Sequence, residues 1–170
     1  MRIFAAAVLA LAIFVCRPLL SQNIPSFSGT NLANETVHLP ITTSGARTVL
    51  VLGFSKKSGD ACKPWFNAIA SQLQAKPQVA YYEMPVIASA PSFVRGMILH
   101  NMRGSISAEQ QKHFVPVTEN AQVWKNAVNF SAPDDPYILI VDDHGNIIWR
   151  DSGTWSPVKE QELQTSLAKL

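Results

Sequence analysis

Val49-Leu50-Val51-Leu52-Gly53-Phe54, followed at once by Ser55-Lys56-Lys57-Ser58-Gly59-Asp60-Ala61-Cys62-Lys63, is the stretch that decides the fold. From Thr48 to Phe54 the run is β-branched and aliphatic without a charge, the composition of a central strand buried on both faces. Beyond it, Trp65, Phe66, Ile69, Ala70 and Leu73 recur at spacings of three and four, which predicts an amphipathic helix. Val79-Ala80-Tyr81-Tyr82-Glu83-Met84 is the next strand candidate. A strand, a helix and a second strand in this order give a parallel pair.

Within this unit Cys62 is the chemically notable residue. Asp60 or a neighbour is placed to cap the helix, and Pro64 fits the first turn, where an amide donor is unsatisfied anyway. Cys62 is therefore expected at or near a helix N-terminus, where the macrodipole favours a thiolate. Lys63, Lys56 and Lys57 act in the same direction if they point toward the sulfur. The competing reading is a small buried hydrophobe with no reactivity.

Working outward, Gln22 to Gly45 mixes Pro25, Gly29, Asn31, Asn34 and Pro40 with short extended stretches, a lead-in arm along a domain edge. The middle is less regular. Phe93, Met97 and Leu99 to Met102 have helical spacing, Ser107-Ala108-Glu109-Gln110 resembles a capped helix start, and a further helix is expected from Asn120 through Val128. Arg95, His100, Arg103 and His113 fall in this insert, as a solvated cationic face or a surface for a carboxylate or partner protein. Near the C-terminus, Tyr137 to Val141, the turn residues Asp142-Asp143-His144-Gly145-Asn146 and Ile147 to Arg150 predict a hairpin. A last helix starts at about Pro157, with Val158, Leu163, Leu167 and Leu170 near one face. Trp65 and Trp124 are expected in the core.

The first residues read as a targeting segment. Arg2 supplies a positive start, Ile3 to Val15 carry no charge, and Ser21 offers a small residue before Gln22, so residues 1–21 are expected to be a signal peptide and 22–170 one domain. The apolar run is too short for a bilayer span, which needs about 20 residues. Removing Arg2 and Arg17 from 14 basic and 12 acidic residues leaves 12 against 12. A neutral domain gives little reason to expect nucleic acid or an anionic membrane as partner. Only Cys16 and Cys62 exist, so the mature domain holds one thiol and no internal disulfide. The four histidines show no metal-ligand spacing, and neither a Gly-x-Ser-x-Gly nor a phosphate-binding glycine loop is present.

The α/β plan, the Phe54 to Lys63 loop, and Pro136 at the start of a strand ending in Asp142-Asp143-His144-Gly145-Asn146 together resemble the thioredoxin-like fold, a mixed sheet flanked by helices with a helical insert. The closest likeness is to its exported thiol-disulfide and peroxiredoxin-like branch. This resemblance implies a cis peptide bond at Pro136, facing Cys62. It also exposes departures: Gly59 stands where the attacking cysteine of Cys-x-x-Cys belongs, the Thr that orients a peroxide is missing, and Cys62 with His144 falls short of a copper site. Phe54-Ser55 with Cys62-Lys63-Pro64-Trp65, the insert around Ser92 to Gly104, and Ser131-Ala132-Pro133-Asp134-Asp135-Pro136 are further similar to the thioredoxin-like family of the mitochondrial ATP-synthase assembly factor.

Two function classes follow. In the first, an exported, periplasmic or secreted binding or assembly factor holds a protein or extended peptide in a groove between a Gly59-Asp60-Lys63 turn and Pro136, with no cofactor and no metal. In the second, Cys62 is the catalytic thiolate of a single-cysteine oxidoreductase or peroxidase, resolved by an external thiol. The missing machinery favours the first.

Overall fold

The computed structural model describes residues 22–168, so the expected signal segment and Cys16 lie outside the described residues. The chain runs β1 (Phe27–Thr30), β2 (Thr36–Leu39), β3 (Arg47–Gly53), α1 (Lys56–Leu73), β4 (Val79–Pro85), α2 (Ser92–Ser105), α3 (Ala108–Gln111), α4 (Ala121–Ala127), β5 (Tyr137–Asp142), β6 (Ile147–Ser152) and α5 (Pro157–Ala168). Four strands form one mixed sheet in the order β4-β3-β5-β6. β3 and β4 are parallel, with Val51 opposite Glu83 and Gly53 opposite Pro85, while β5 runs antiparallel to β3 and to β6.

Side-chain alternation along β3 sorts the core into two layers. Val49 and Val51 face α1 and α5, packing with Cys62, Trp65, Ile69, Leu73, Ile138, Ile140 and Leu163. Leu50 and Leu52 face the opposite layer, built from the β1–β2 hairpin, Met84, Val115, Val117 and Trp124. Trp65 and Trp124 are core residues, as expected, and the Trp65 indole donates to Gly153 O at 3.0 Å.

The lead-in arm resolves into the β1–β2 hairpin, which forms its own two-stranded sheet. A second feature escaped the sequence reading: residues 113–117 lie extended along the outer edge of β4. Val115 N donates to Glu83 O at 2.8 Å and Val117 N to Pro85 O at 2.9 Å, leaving Pro116, which has no amide proton, between the two bonds. The β4 edge is thereby covered rather than open.

One expectation is corrected here. The cis peptide bond among the described residues is Leu39–Pro40, and Asp135–Pro136 is not cis. Pro136 is held instead by backbone pairing, its carbonyl accepting from Gly153 N at 2.9 Å.

Candidate functional site

Ser55, two residues beyond β3, is the N-cap of α1. Its side chain accepts from Ser58 N at 3.0 Å, and Ser58 Oγ accepts from Ser55 N at 2.8 Å, a reciprocal capping box. Ser55 Oγ also donates to Asp134 Oδ1 at 2.9 Å, and Lys57 Nζ lies 3.2 Å from Asp134 Oδ2. These bonds hold the Asp134 carboxyl below the usual carboxylate range. They tie the loop before β5 onto the first turn of α1.

The same loop is fixed from below. The buried Tyr137 hydroxyl accepts from Ser131 N at 2.9 Å and Ala132 N at 2.8 Å, and donates to Ala132 O at 2.9 Å. Phe54, Phe130 and Tyr137 pack as an aromatic trio, with centroids 5.0 to 5.7 Å apart.

Because the cap is Ser55 and not Asp60, the site differs from the sequence expectation. Gly59, Asp60 and Lys63 are all helical residues and form no turn. Pro64 sits in the helix interior, where it offers no amide to the Asp60 carbonyl, and Asp60 itself is an exposed residue. Asp60 and Lys63 pair at 2.7 Å on the outer surface, whereas Pro136 is buried. The expected groove between a 59–63 turn and Pro136 is thus not what the helix and the buried proline form.

Cys62 lies in the second turn of α1 and points into the core, fully buried. Its sulfur packs against the backbone at Gly53, where a Cβ would stand 3.2 Å from Sγ and 3.1 Å from Ser58 Oγ. Burial pushes the thiol pKa up strongly, and the Glu83 carboxylate raises it further. The thiolate expected from a helix terminus is therefore disfavoured: the dipole effect fades within the first turn, and desolvation dominates.

Glu83 is the residue that sequence reasoning overlooked. It is 5% exposed on the α1 side of β4, between Val51 on β3 and Phe114 on the covering segment. Its Oε2 is buried without a hydrogen-bond partner among the described residues. Desolvation lifts its pKa to about 8, with Lys63 pulling it partly back. An acid inside an otherwise apolar strand candidate was the available signal. Next to it His113 stacks on Tyr81 with centroids 4.0 Å apart, and its Nδ1 lies 3.0 Å from Tyr81 O. Among the described residues no group of three or more His, Cys, Asp and Glu is placed to hold a metal ion.

The sequence model of the ATP10 protein family matches residues 18–170. The chain belongs to the ATP10 protein family. That match takes in every element of this ATP10-family domain, from the β1–β2 hairpin to α5. No curated protein matches the chain.

Solved structures similar to this ATP10-family chain share its thioredoxin-like fold. The exposed lipoprotein thioredoxin Etrx1 of Streptococcus pneumoniae strain TIGR4 is 13% identical, with a TM-score of 0.62 over 86% of this chain and 100% of that one. A putative thiol:disulfide interchange protein DsbE from Chlorobium tepidum is 14% identical, with a TM-score of 0.57 over 88% of this chain and 95% of that one. StoA from Bacillus subtilis is 12% identical, with a TM-score of 0.57 over 86% and 98%. At these identities the likeness is one of fold, and function must come from the site.

Proposed function

We propose that this ATP10-family domain is a binding or assembly factor on a thioredoxin-like scaffold, with Cys62 serving as a core residue and not as a nucleophile. The observation that carries the reading is the buried sulfur against Gly53, with a thiol pKa raised by burial and by Glu83. A redox thiol needs access and thiolate character, and Cys62 has neither. With the first cysteine position occupied by Gly59, no resolving thiol is available within the domain either.

The partner in this reading is a protein, met at the α1 end through the exposed charges of Asp60 and Lys63, while Pro136 acts from below by fixing the loop. Delivery out of the cytoplasm, to a periplasmic or extracellular site, is supported by the uncharged run Ile3 to Val15 behind Arg2. N-terminal sequencing of the mature chain tests that part: a start at Gln22 supports it, and a retained Met1 contradicts it.

The functional test is complementation by Cys62→Ala and Cys62→Ser, with assembled ATP synthase as the readout and thermal melting as the control for folding. Full assembly by either folded variant supports the proposal. Loss of assembly by both folded variants overturns it.

A further inference from the structure

Glu83 is fastened at its main chain and left alone at its side chain. Its amide donates to His113 O at 2.8 Å, its carbonyl accepts from Val115 N at 2.8 Å, and Leu32 N donates to Phe114 O at 2.9 Å. These three backbone bonds hold residues 113–115 over the edge of β4. The carboxyl, on the α1 side, keeps Oε2 buried without a partner among the described residues. A charge formed there needs water or a counter-charge.

No neighbouring group is free to meet that charge. From α1 come Cys62, kept protonated by burial and by Glu83 itself, and Lys63, whose ammonium is engaged with exposed Asp60 at 2.7 Å and lowers the Glu83 proton affinity only in part. From β3 comes the uncharged Val51. On β4 the Tyr81 hydroxyl is shifted upward by burial and by Glu109, so it is neutral where a carboxyl titrates. On the covering segment His113 directs Nδ1 to Tyr81 O at 3.0 Å, and on its α3 side Glu109 and Lys112 pair with each other at 2.9 Å. Water is therefore the remaining source of solvation, and it must enter past the cover.

That cover is unevenly anchored. Val115 and Val117 are fully buried, whereas His113 and Phe114, which lie next to Glu83, are half-buried. Phe114 leans on Phe66 of α1 with ring centroids 5.1 Å apart. We propose that the 113–114 end of the covering segment is a proton-controlled flap: it stays closed over Glu83 while the carboxyl holds its proton, and opens to admit water when the proton leaves. Opening removes both main-chain partners of Glu83, so the β4 edge acquires a free amide and a free carbonyl.

Hydrogen exchange between about pH 5 and 9, on the chain as purified from cells that express it and with and without low urea, tests the proposal. After correction for intrinsic exchange, the amides of Glu83, Val115 and Leu32 should be less protected than those of Val49 to Leu52 and insensitive to urea below the unfolding transition. Their protection should fall by about tenfold per pH unit up to about 8. In Glu83→Gln, with melting as the control for folding, that pH dependence should vanish while the protection remains. Exchange of the three amides that tracks the β3 amides at every pH and urea concentration overturns the proposal, because the proton then leaves only on global unfolding. This comparison is internal to the unaltered chain and decides the matter even if the variant does not fold. Local exchange that ignores pH, as Lys63 turning from Asp60 to Glu83 would produce, also overturns it, as does the same pH dependence in Glu83→Gln.

Discussion

The Cys62 sulfur and Gly53 are in such close register that a methyl group on Gly53 would stand 3.2 Å from Sγ, inside ordinary van der Waals contact. Strand β3 and helix α1 meet there because Gly53 has no side chain. Gly53→Ala is expected to destabilise the domain by about 1–3 kcal/mol through overpacking. Adding Cys62→Ala should recover part of that loss, since the smaller side chain vacates the contested space. Urea denaturation of the two single variants and the double variant checks it, with a coupling of about 0.5 kcal/mol or more expected for touching residues.

Glu83 makes stability depend on pH in a defined direction. Its carboxyl goes from an ordinary value of 4.5 to about 8 in the folded protein, so the folded state holds its proton more tightly than the unfolded state. The contribution is fully present below 4.5 and is lost as pH rises through about 8. Denaturation midpoints measured across this window should fall for the unaltered chain. For Glu83→Gln, which cannot ionise, the slope should flatten.

Ser55 closes the capping box and also donates to Asp134, so one hydroxyl joins α1 to the loop before β5. Ser55→Ala should cost about 1 kcal/mol from the cap. Faster amide exchange at Ser58 is the local signature, because that amide loses its acceptor.

Tyr137→Phe should release the 131–132 loop, since one hydroxyl there takes two amides and serves one carbonyl. The amides left without an acceptor should cost about 1–3 kcal/mol. Hydrogen exchange at Ser131 and Ala132 should accelerate while the amides of β5 remain protected.

The sheet was legible because its strands are strongly patterned. Val49 to Leu52 and Tyr137 to Val141 are continuous apolar runs, and both became central strands with every one of these residues buried. The start of α1 was not legible. Pro64 points to a first turn by its missing amide, but α1 begins at Lys56 and carries Pro64 in its interior, with the unserved carbonyl belonging to Asp60 on the exposed side of the helix. That displaced the expected cap from Ser55 to Asp60 and carried Cys62 from the helix terminus into the core. Residues 113–117 were missed because Pro116 interrupts the run, although an edge position with alternate amides paired tolerates it. The local sign of Glu83 was an acid in an apolar strand candidate, whereas its burial depends on that same covering segment.

The most direct measurement is the rate of Cys62 alkylation in the native, mature protein across pH and denaturant, compared with the global unfolding equilibrium. A core thiol predicts labelling that follows unfolding, with no sulfenic acid after peroxide exposure of the folded chain. Rapid labelling of the folded protein with an apparent thiol pKa below about 8.5 would contradict the account and identify Cys62 as a reactive thiolate.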